Sequence, residues 1–480
     1  MLFNSYIFLI FLAVVIPVYY LLNTKVSRNS LLLIASYIFY GYWDWRFCSL
    51  LLLSTVVDYF VGLSLGKIED PSKRKTLLII SLISNFTILG FFKYFNFFVE
   101  SFQEMFSSLN LSVNLDYLHL NVILPVGISF YTFQTVSYTI DVYRRELKPC
   151  SSLLDFGLYV SFFPQLVAGP IERAVNLLPQ MERKNHASRQ QFLDGSILII
   201  YGLFKKVLIG DASGRYVDHI FTHMEYYSSW EIVFSLFMFS IQIYADFSGY
   251  SNIAQGTAKL LGFELIKNFE QPYLSRNITE FWRRWHISLS TWLKDYLYMP
   301  LGGNRKGKNR TYINLMITMI LGGLWHGASW NFVIWGTLHG IYLAVHKYSL
   351  RGEKISADNI QINTFRDLIR FSVSATFTYI LVVITWLFFR AKSLHEISYF
   401  INACLNWTWG NYPLRFLSIL TGFTFITLLF DALEYRTKSH VYFNQIKSRP
   451  FMFGLLTMMF ISVLIYMINS KPLPFIYFQF

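Results

Sequence analysis

The chain has 480 residues, of which 54% are hydrophobic, 19% aromatic and only 14% charged. A soluble globular chain carries about 25% charged residues, so this composition excludes an ordinary soluble enzyme and equally a disordered or fibrous chain. Forty-one Lys and Arg against 28 Asp and Glu leave a net charge of +13, but the cations cluster between apolar runs, as in the cytoplasmic loops of a multi-span membrane protein and not as on a nucleic-acid-binding face.

A bilayer core about 30 Å thick takes roughly 20 apolar residues as a helix. The first such run is Ser5–Leu22. No basic residue precedes it and Lys25 and Arg28 follow it, so it reads as a retained span with the amino terminus outside, not as a cleaved signal. Leu31–Tyr42 rises to an aromatic outer turn at Tyr42–Trp45, and Phe47–Leu65 returns to Lys67, Lys73, Arg74 and Lys75. Thr76–Phe98 leads out to Glu100, Glu104 and Asp116, and Val122–Ile140 leads back to Arg144, Arg145 and Lys148. Near the end, Lys447 and Arg449 precede Phe451–Ile468, which places the last residues outside. Between these regions, Ser151–Arg189 and Ser251–Arg310 mix short apolar pieces with Pro, Gly and basic residues. Irregular backbone at membrane depth is tolerated only when protein buries it or it lines a cavity. The stretches read either as re-entrant or horizontal helices around a cavity or as cytosolic loops with amphipathic surface helices. No linker or internal repeat interrupts residues 1–470, which read as one membrane domain, followed by an extracellular tail at 471–480.

Ionisable residues inside apolar segments are costly, and are functional candidates by default. His326 lies between two apolar helices, Tyr312–Leu324 and Trp330–Val345, in Leu321-Gly322-Gly323-Leu324-Trp325-His326-Gly327-Ala328-Ser329-Trp330. It could serve as a base toward a hydroxyl, or pack against a backbone carbonyl. His286 sits among Trp282, Arg283, Arg284, Trp285, Trp292, Lys294 and Asp295. That mixture suits an interfacial helix, and it equally suits a cytosolic mouth for an anionic donor. Asp246, which closes an apolar span, is a helix-end partner or a support for a site. His219 and His223 have metal-ligand spacing but no third ligand nearby, and His339 and His346 read as packing residues. Cys48, Cys150 and Cys404 form no CxxC pair. No nucleotide-binding or hydrolase-elbow motif is present. The tail, Pro472-Leu473-Pro474-Phe475-Ile476-Tyr477-Phe478-Gln479-Phe480, is too apolar to hang in water. It either docks in a groove or anchors at the membrane interface.

The stretch Gln271–Trp335, with Phe281-Trp282-Arg283-Arg284-Trp285-His286-Ile287-Ser288, Tyr296-Leu297-Tyr298-Met299-Pro300-Leu301-Gly302-Gly303 and Trp325-His326-Gly327-Ala328-Ser329-Trp330, resembles the membrane-bound O-acyltransferase family. Leu124–Gln134 and Phe163–Ile171 support the likeness. It is strongest toward the bacterial branch that acetylates alginate and D-alanylates teichoic acid. The resemblance implies an all-α multi-pass membrane protein, a ring of about eleven transmembrane helices with re-entrant helices around a central funnel, in a bacterial cell membrane with both termini outside. It makes His326 and His286 the catalytic histidines, with Trp325, Trp282, Arg284, Asp295 and Asp246 in support and no metal. The Phe475–Phe480 ending matches the FxYxxF ending of this branch, which implies that Tyr477 carries the acyl group as an ester to an extracellular SGNH-type acetyltransferase. The expected donor is acetyl-CoA or an acyl-carrier-protein thioester, with no tightly bound cofactor, and the expected acceptor is an exported polysaccharide, with the bilayer and not nucleic acid as the other partner. A D-alanyl transferase for teichoic acid is the alternative within this chemistry, and a transporter or flippase without acyl transfer is the alternative outside it.

Overall fold

The structure, a computed structural model, describes residues 1–111, 113–120, 122–167, 169–350, 364–410 and 413–478. Ala168, within the Phe163–Ile171 stretch, and Gln479 and Phe480, which end the aromatic tail, lie outside the described residues. Every regular element among those described is helical. The residues group into two compact units, 1–196 with 254–266, and 197–253 with 267–480.

The first unit opens with α1 (Tyr6–Leu21), α2 (Lys25–Asp44), α3 (Cys48–Lys67), α4 (Pro71–Leu89), α5 (Phe95–Ser108) and α6 (Ile128–Tyr143). Polar residues set their starts. The Ser5 hydroxyl accepts from the Phe8 N–H at α1, Thr24 and Ser27 form a reciprocal cap at α2, and Asp70 caps α4 directly before Pro71. One cation of the expected inner loops, Arg74, closes helix ends. Arg74 is buried, and its guanidinium donates to the carbonyls of Ile68, Val142 and Tyr143 at 3.1, 3.2 and 2.9 Å and also to that of Leu65. These carbonyls lie at the C-terminal ends of α3 and α6, and that of Val142 also accepts from the Arg145 N–H. Deeper in the unit, Asp58 on α3 accepts from Ser81 and Asn85 on α4 and from Thr139 on α6, the last two at 2.8 and 3.1 Å. Such interhelical bonds substitute in lipid for the hydration a carboxylate loses.

The stretch 151–189 is irregular as expected, made of α7 (Leu153–Ser161), α8 (Phe163–Leu166) and α9 (Ala174–Met181). All of Asp155–Leu166 is buried, so α7 and α8 are interior pieces, whereas α9 leaves Val175, Asn176 and Pro179 exposed. The unit also takes in the start of α10 (Arg189–Leu203).

The second unit contains α11 (Ala212–Thr222), α12 (Ser229–Leu260), α13 (Ile278–Arg284), α14 (Ile287–Leu293), α15 (Lys308–His326), α16 (Trp330–Ser349), α17 (Phe365–Arg390), α18 (Leu394–Leu405), α19 (Pro413–Thr437) and α20 (Arg449–Asn469), although α12 itself runs on past the unit boundary. The expected irregular stretch 251–310 starts too early, because residues 251–260 are the last turns of α12. Glycine on α12 marks close packing and not a break. A Cβ on Gly249 would lie 2.7 Å from the Gly202 carbonyl oxygen. Likewise α15 and α16 pack as a hairpin through Gly323 and Gly336, where added Cβ atoms would fall 2.2 and 2.3 Å from the carbonyls of Phe332 and Met319.

Six helical runs among the described residues are long and apolar enough to cross a bilayer: Lys25–Lys67, Pro71–Ser108, Ser229–Leu260, Phe365–Arg390, Leu414–Thr437 and Arg449–Asn469. The first comprises α2 and α3 with a tight turn at Trp45–Phe47, beside the aromatic turn expected at Tyr42–Trp45. The count of about eleven crossings exceeds these six, and α1 is a shorter apolar helix of 16 residues.

Candidate active site

His326 is the last residue of α15. Gly327 leaves the helix in extended conformation, and Ser329 caps the start of α16 by accepting from the Asn331 N–H. The imidazole is therefore held at the bend of the glycine-packed hairpin. It is buried, with ring centroids of Trp325 at 5.0 Å, Trp335 at 4.9 Å and Phe389 of α17 at 5.3 Å.

His286 occupies the break between α13 and α14 with φ of 43°. A left-handed backbone is unusual for a residue with a side chain and persists only when its surroundings enforce it. Asn268 does so: its carbonyl accepts the Ile287 N–H at 2.9 Å, and its side-chain oxygen accepts the Ser288 N–H and hydroxyl at 3.2 and 2.8 Å. The His286 ring lies 4.6 Å from Phe247 of α12 and 5.7 Å from Trp325. It is wholly buried, and that burial holds it below its ordinary range, in the neutral form able to accept a proton.

The third aromatic group is the tail. Lys471 and Leu473 pass over α11, where Arg215 donates to the Lys471 carbonyl at 2.7 Å. Phe475 and Ile476 are buried, and residues 476–478 form a single tight helical turn. Tyr477 thereby sits with its ring centroid 5.3 Å from His326, 6.3 Å from His286, 4.7 Å from Phe247 and 5.9 Å from Phe389. Its hydroxyl is buried without a hydrogen-bond partner among the described residues. Burial, reinforced by the charge of Asp246, pushes the phenol above its usual range, so it keeps its proton until a base removes it. Of the two placements open for the tail, docking within its own chain is the one adopted.

The other expected residues distribute unevenly. Trp325 stands between the two histidines. Trp282 is one ring removed: its indole N–H donates to His339 Nδ1 at 3.3 Å and its ring lies 5.7 Å from Trp335. His339, joined also to the Thr385 hydroxyl at 3.0 Å, is a packing residue. Arg284 turns away from the histidines, pairing with Glu280 at 2.7 Å and lying 5.9 Å from the Tyr435 ring. Asp295 is half-buried on the wide turn Lys294–Tyr298. Asp246 lies in the middle of α12 and not at the end of a span, because the helix continues to Leu260. His219 and His223 are 5.5 Å apart, with His219 hydrogen-bonded to the Tyr227 hydroxyl at 3.1 Å.

Two histidines and a tyrosine enclosed by aromatic rings bring together residue types that can accept a proton and one that can act as a nucleophile. The sequence model of the membrane-bound O-acyltransferase family matches residues 77–384. The chain belongs to that family. It is an O-acyltransferase. A probable alginate O-acetylase of Pseudomonas syringae pv. tomato is 41% identical over 433 residues, covering 89% of this chain and 80% of the relative. A peptidoglycan O-acetyltransferase of Helicobacter pylori is 37% identical over 432 residues, covering 82% and 78%. A teichoic acid D-alanyltransferase of Bacillus subtilis is 27% identical over 239 residues, covering 48% and 60%. Membership of this family of transferases removes the transporter alternative.

Three residues of this O-acyltransferase that sequence reasoning passed over stand close to the site: Asn268, Lys206 and Asp211. Lys206 is fully buried and pairs with Asp211 at 2.6 Å and Asp246 at 2.8 Å. The available signal was Lys205-Lys206 embedded in the apolar run 197–210, a placement that marks a paired charge in a membrane protein. Lys205 has its own partner, Glu434, at 3.5 Å. Glu434 also accepts from the Tyr201 hydroxyl at 2.9 Å and from Gln271 at 3.1 Å, which ties α10 to α19.

Proposed function

We propose that this O-acyltransferase acetylates an exported or cell-surface polysaccharide, with Tyr477 as the carrier of the acetyl group. The single observation that supports the reading is the seating of the Tyr477 ring between His326 and His286, 5.3 and 6.3 Å away. The phenol has no other route to ionisation in a site this dry, and an imidazole is the base at hand. His326 accepts the phenolic proton as the oxygen attacks the carbonyl carbon of a thioester donor. The new C–O ester bond forms as the C–S bond breaks, and the departing thiolate takes the proton back from the imidazolium. His286 assists from the other side of Trp325. The donor is acetyl-CoA or an acyl-carrier-protein thioester arriving from the cytosol. The acetylated tail then presents its ester outside to the serine of an SGNH-type partner, which passes the acetyl group to a sugar hydroxyl and returns Tyr477 to the free phenol.

What supports acetyl over D-alanyl is the pattern of likeness. The O-acetylating relatives match most of the chain at about 40% identity, whereas the D-alanyltransferase matches half of it at 27%. The test is intact-mass and peptide spectrometry of the C-terminal segment from membranes given labelled acetyl donor. An acetyl adduct on Tyr477 is expected in the parent protein, with none in His326→Ala or Tyr477→Phe. Full acetylation of the exported product in a Tyr477→Phe strain would remove the relay while leaving the enzyme.

A further inference from the structure

The Tyr477 hydroxyl has no hydrogen bond among the described residues to fix its angle to the histidines, and its aromatic contacts tolerate sliding and rotation. The neighbouring residue supplies the missing constraint. The Ile476 backbone N–H donates to Asp246 Oδ2 at 2.9 Å in a buried setting. This is a charge-assisted bond, stronger and more directional than a contact between rings. Asp246 is in turn paired through its other oxygen, Oδ1, with Lys206 at 2.8 Å, and Lys206 reaches Asp211 at 2.6 Å. The arrangement depends on a local departure from α-helix. Residues Phe204–Asp211 form a wide turn of eight residues, and Gly210 brings its backbone so close to α12 that a Cβ there would lie 3.1 Å from the Asp246 nitrogen. Lys206 thus reaches Asp211 on its own turn and Asp246 on α12.

We infer that the Asp211–Lys206–Asp246 triad is a buried anchor for the C-terminal tail, holding the Ile476 N–H so that Tyr477 is positioned for acylation. Asp246 and Lys206 are positioning residues, since neither touches the reacting atoms. Two carboxylates share one ammonium, so the triad carries an excess negative charge. A backbone N–H is a donor that completes Asp246 without adding a charge of its own. The inference rests on the Tyr477 relay for its consequence in catalysis, but the docking of the tail is measurable without it.

The experiment removes the donor and leaves the triad intact. Ile476 opens the 476–478 turn, a position that favours proline in helical turns, so Ile476→Pro deletes the N–H together with part of the buried side chain. Ile476→Val, close to proline in size, keeps it. Two readouts are taken on the full chain in native membranes: resistance of the tail to a carboxypeptidase without any donor, followed by intact mass, and the rate of acetyl loading on Tyr477. Ile476→Pro is expected to be trimmed past Tyr477 at least about tenfold faster than Ile476→Val, the factor of one charge-assisted hydrogen bond. Its loading rate should fall by a similar factor. Asp246→Ala should behave like Ile476→Pro, with Asp246→Asn between it and the parent. Equal trimming and loading of the proline and valine variants would overturn the anchor. Unequal trimming with no acetyl on Tyr477 even in the parent would leave the anchor standing and remove the relay.

Discussion

At His286 the chain accepts a left-handed backbone, and the cost of that conformation locates the residue's support. The φ of 43° is enforced by Asn268, whose side-chain oxygen accepts two bonds from Ser288. Asn268→Ala leaves a buried N–H and hydroxyl without that acceptor, at a cost of about 1–3 kcal/mol. On the proposed reading the variant lowers the maximal acylation rate by tenfold or more with little change in apparent donor affinity, because the ring is displaced and the donor's contacts are not. Asn268→Asp, which keeps the acceptor, should recover most of the rate. Steady-state kinetics on purified membranes check both. The histidines themselves stood out in the sequence because each is an ionisable group amid tryptophans. Asn268 did not, since an asparagine 18 positions before His286 has no local signature. Lys206 was hidden for a related reason: its partner Asp246 is 40 residues away along the chain, and a lysine next to another lysine looks like one more inner-loop cation.

The helices show where glycine content was readable and where it misled. Gly256 falls in the stretch expected to be irregular, yet α12 runs unbroken through it. In the α15–α16 hairpin the same residue type sets the distance between helices, and so the placement of His326 at its bend. Gly323→Leu would drive a side chain into the Phe332 carbonyl, 2.2 Å from the first added carbon. The helices cannot separate without unpacking His326 from Trp335, so folded yield and the thermal midpoint in detergent should both drop sharply, by more than the 1–3 kcal/mol of ordinary overpacking. Gly422 on α19 has nothing within 4 Å of an added Cβ. Gly422→Ala should be neutral or raise stability by up to about 1 kcal/mol, from helix propensity. A thermal scan of the two variants beside the parent separates packing glycines from incidental ones.

Over the whole molecule, the +13 charge and the apolar excess have separate roles. The side chains of Ile10, Ile34, Phe60, Phe425 and Ile465 are exposed, as expected where lipid replaces water as solvent. Arg74 is buried at helix ends, whereas Lys67, Lys73, Lys75, Arg144, Arg145 and Lys148 of the expected inner loops are exposed. On the proposed reading the cation-rich loops face the cytosol, and donor and tail reach the histidines from opposite sides. Labelled acetyl-CoA added to inside-out vesicles should then load Tyr477, and the same donor added to sealed right-side-out vesicles should not; equal loading in both would refute the sidedness. The sequence by itself determined the membrane class, the helical architecture and the family, because composition, apolar run length and ordered aromatic motifs are properties of neighbouring residues. The tertiary structure alone decided that the tail folds back onto Phe247, His286 and His326, that α12 is continuous, and that Asp246 and Lys206 meet beneath Ile476. Those facts depend on contacts between residues up to 230 positions apart, and a one-dimensional pattern carries no record of which distant groups close packing brings together.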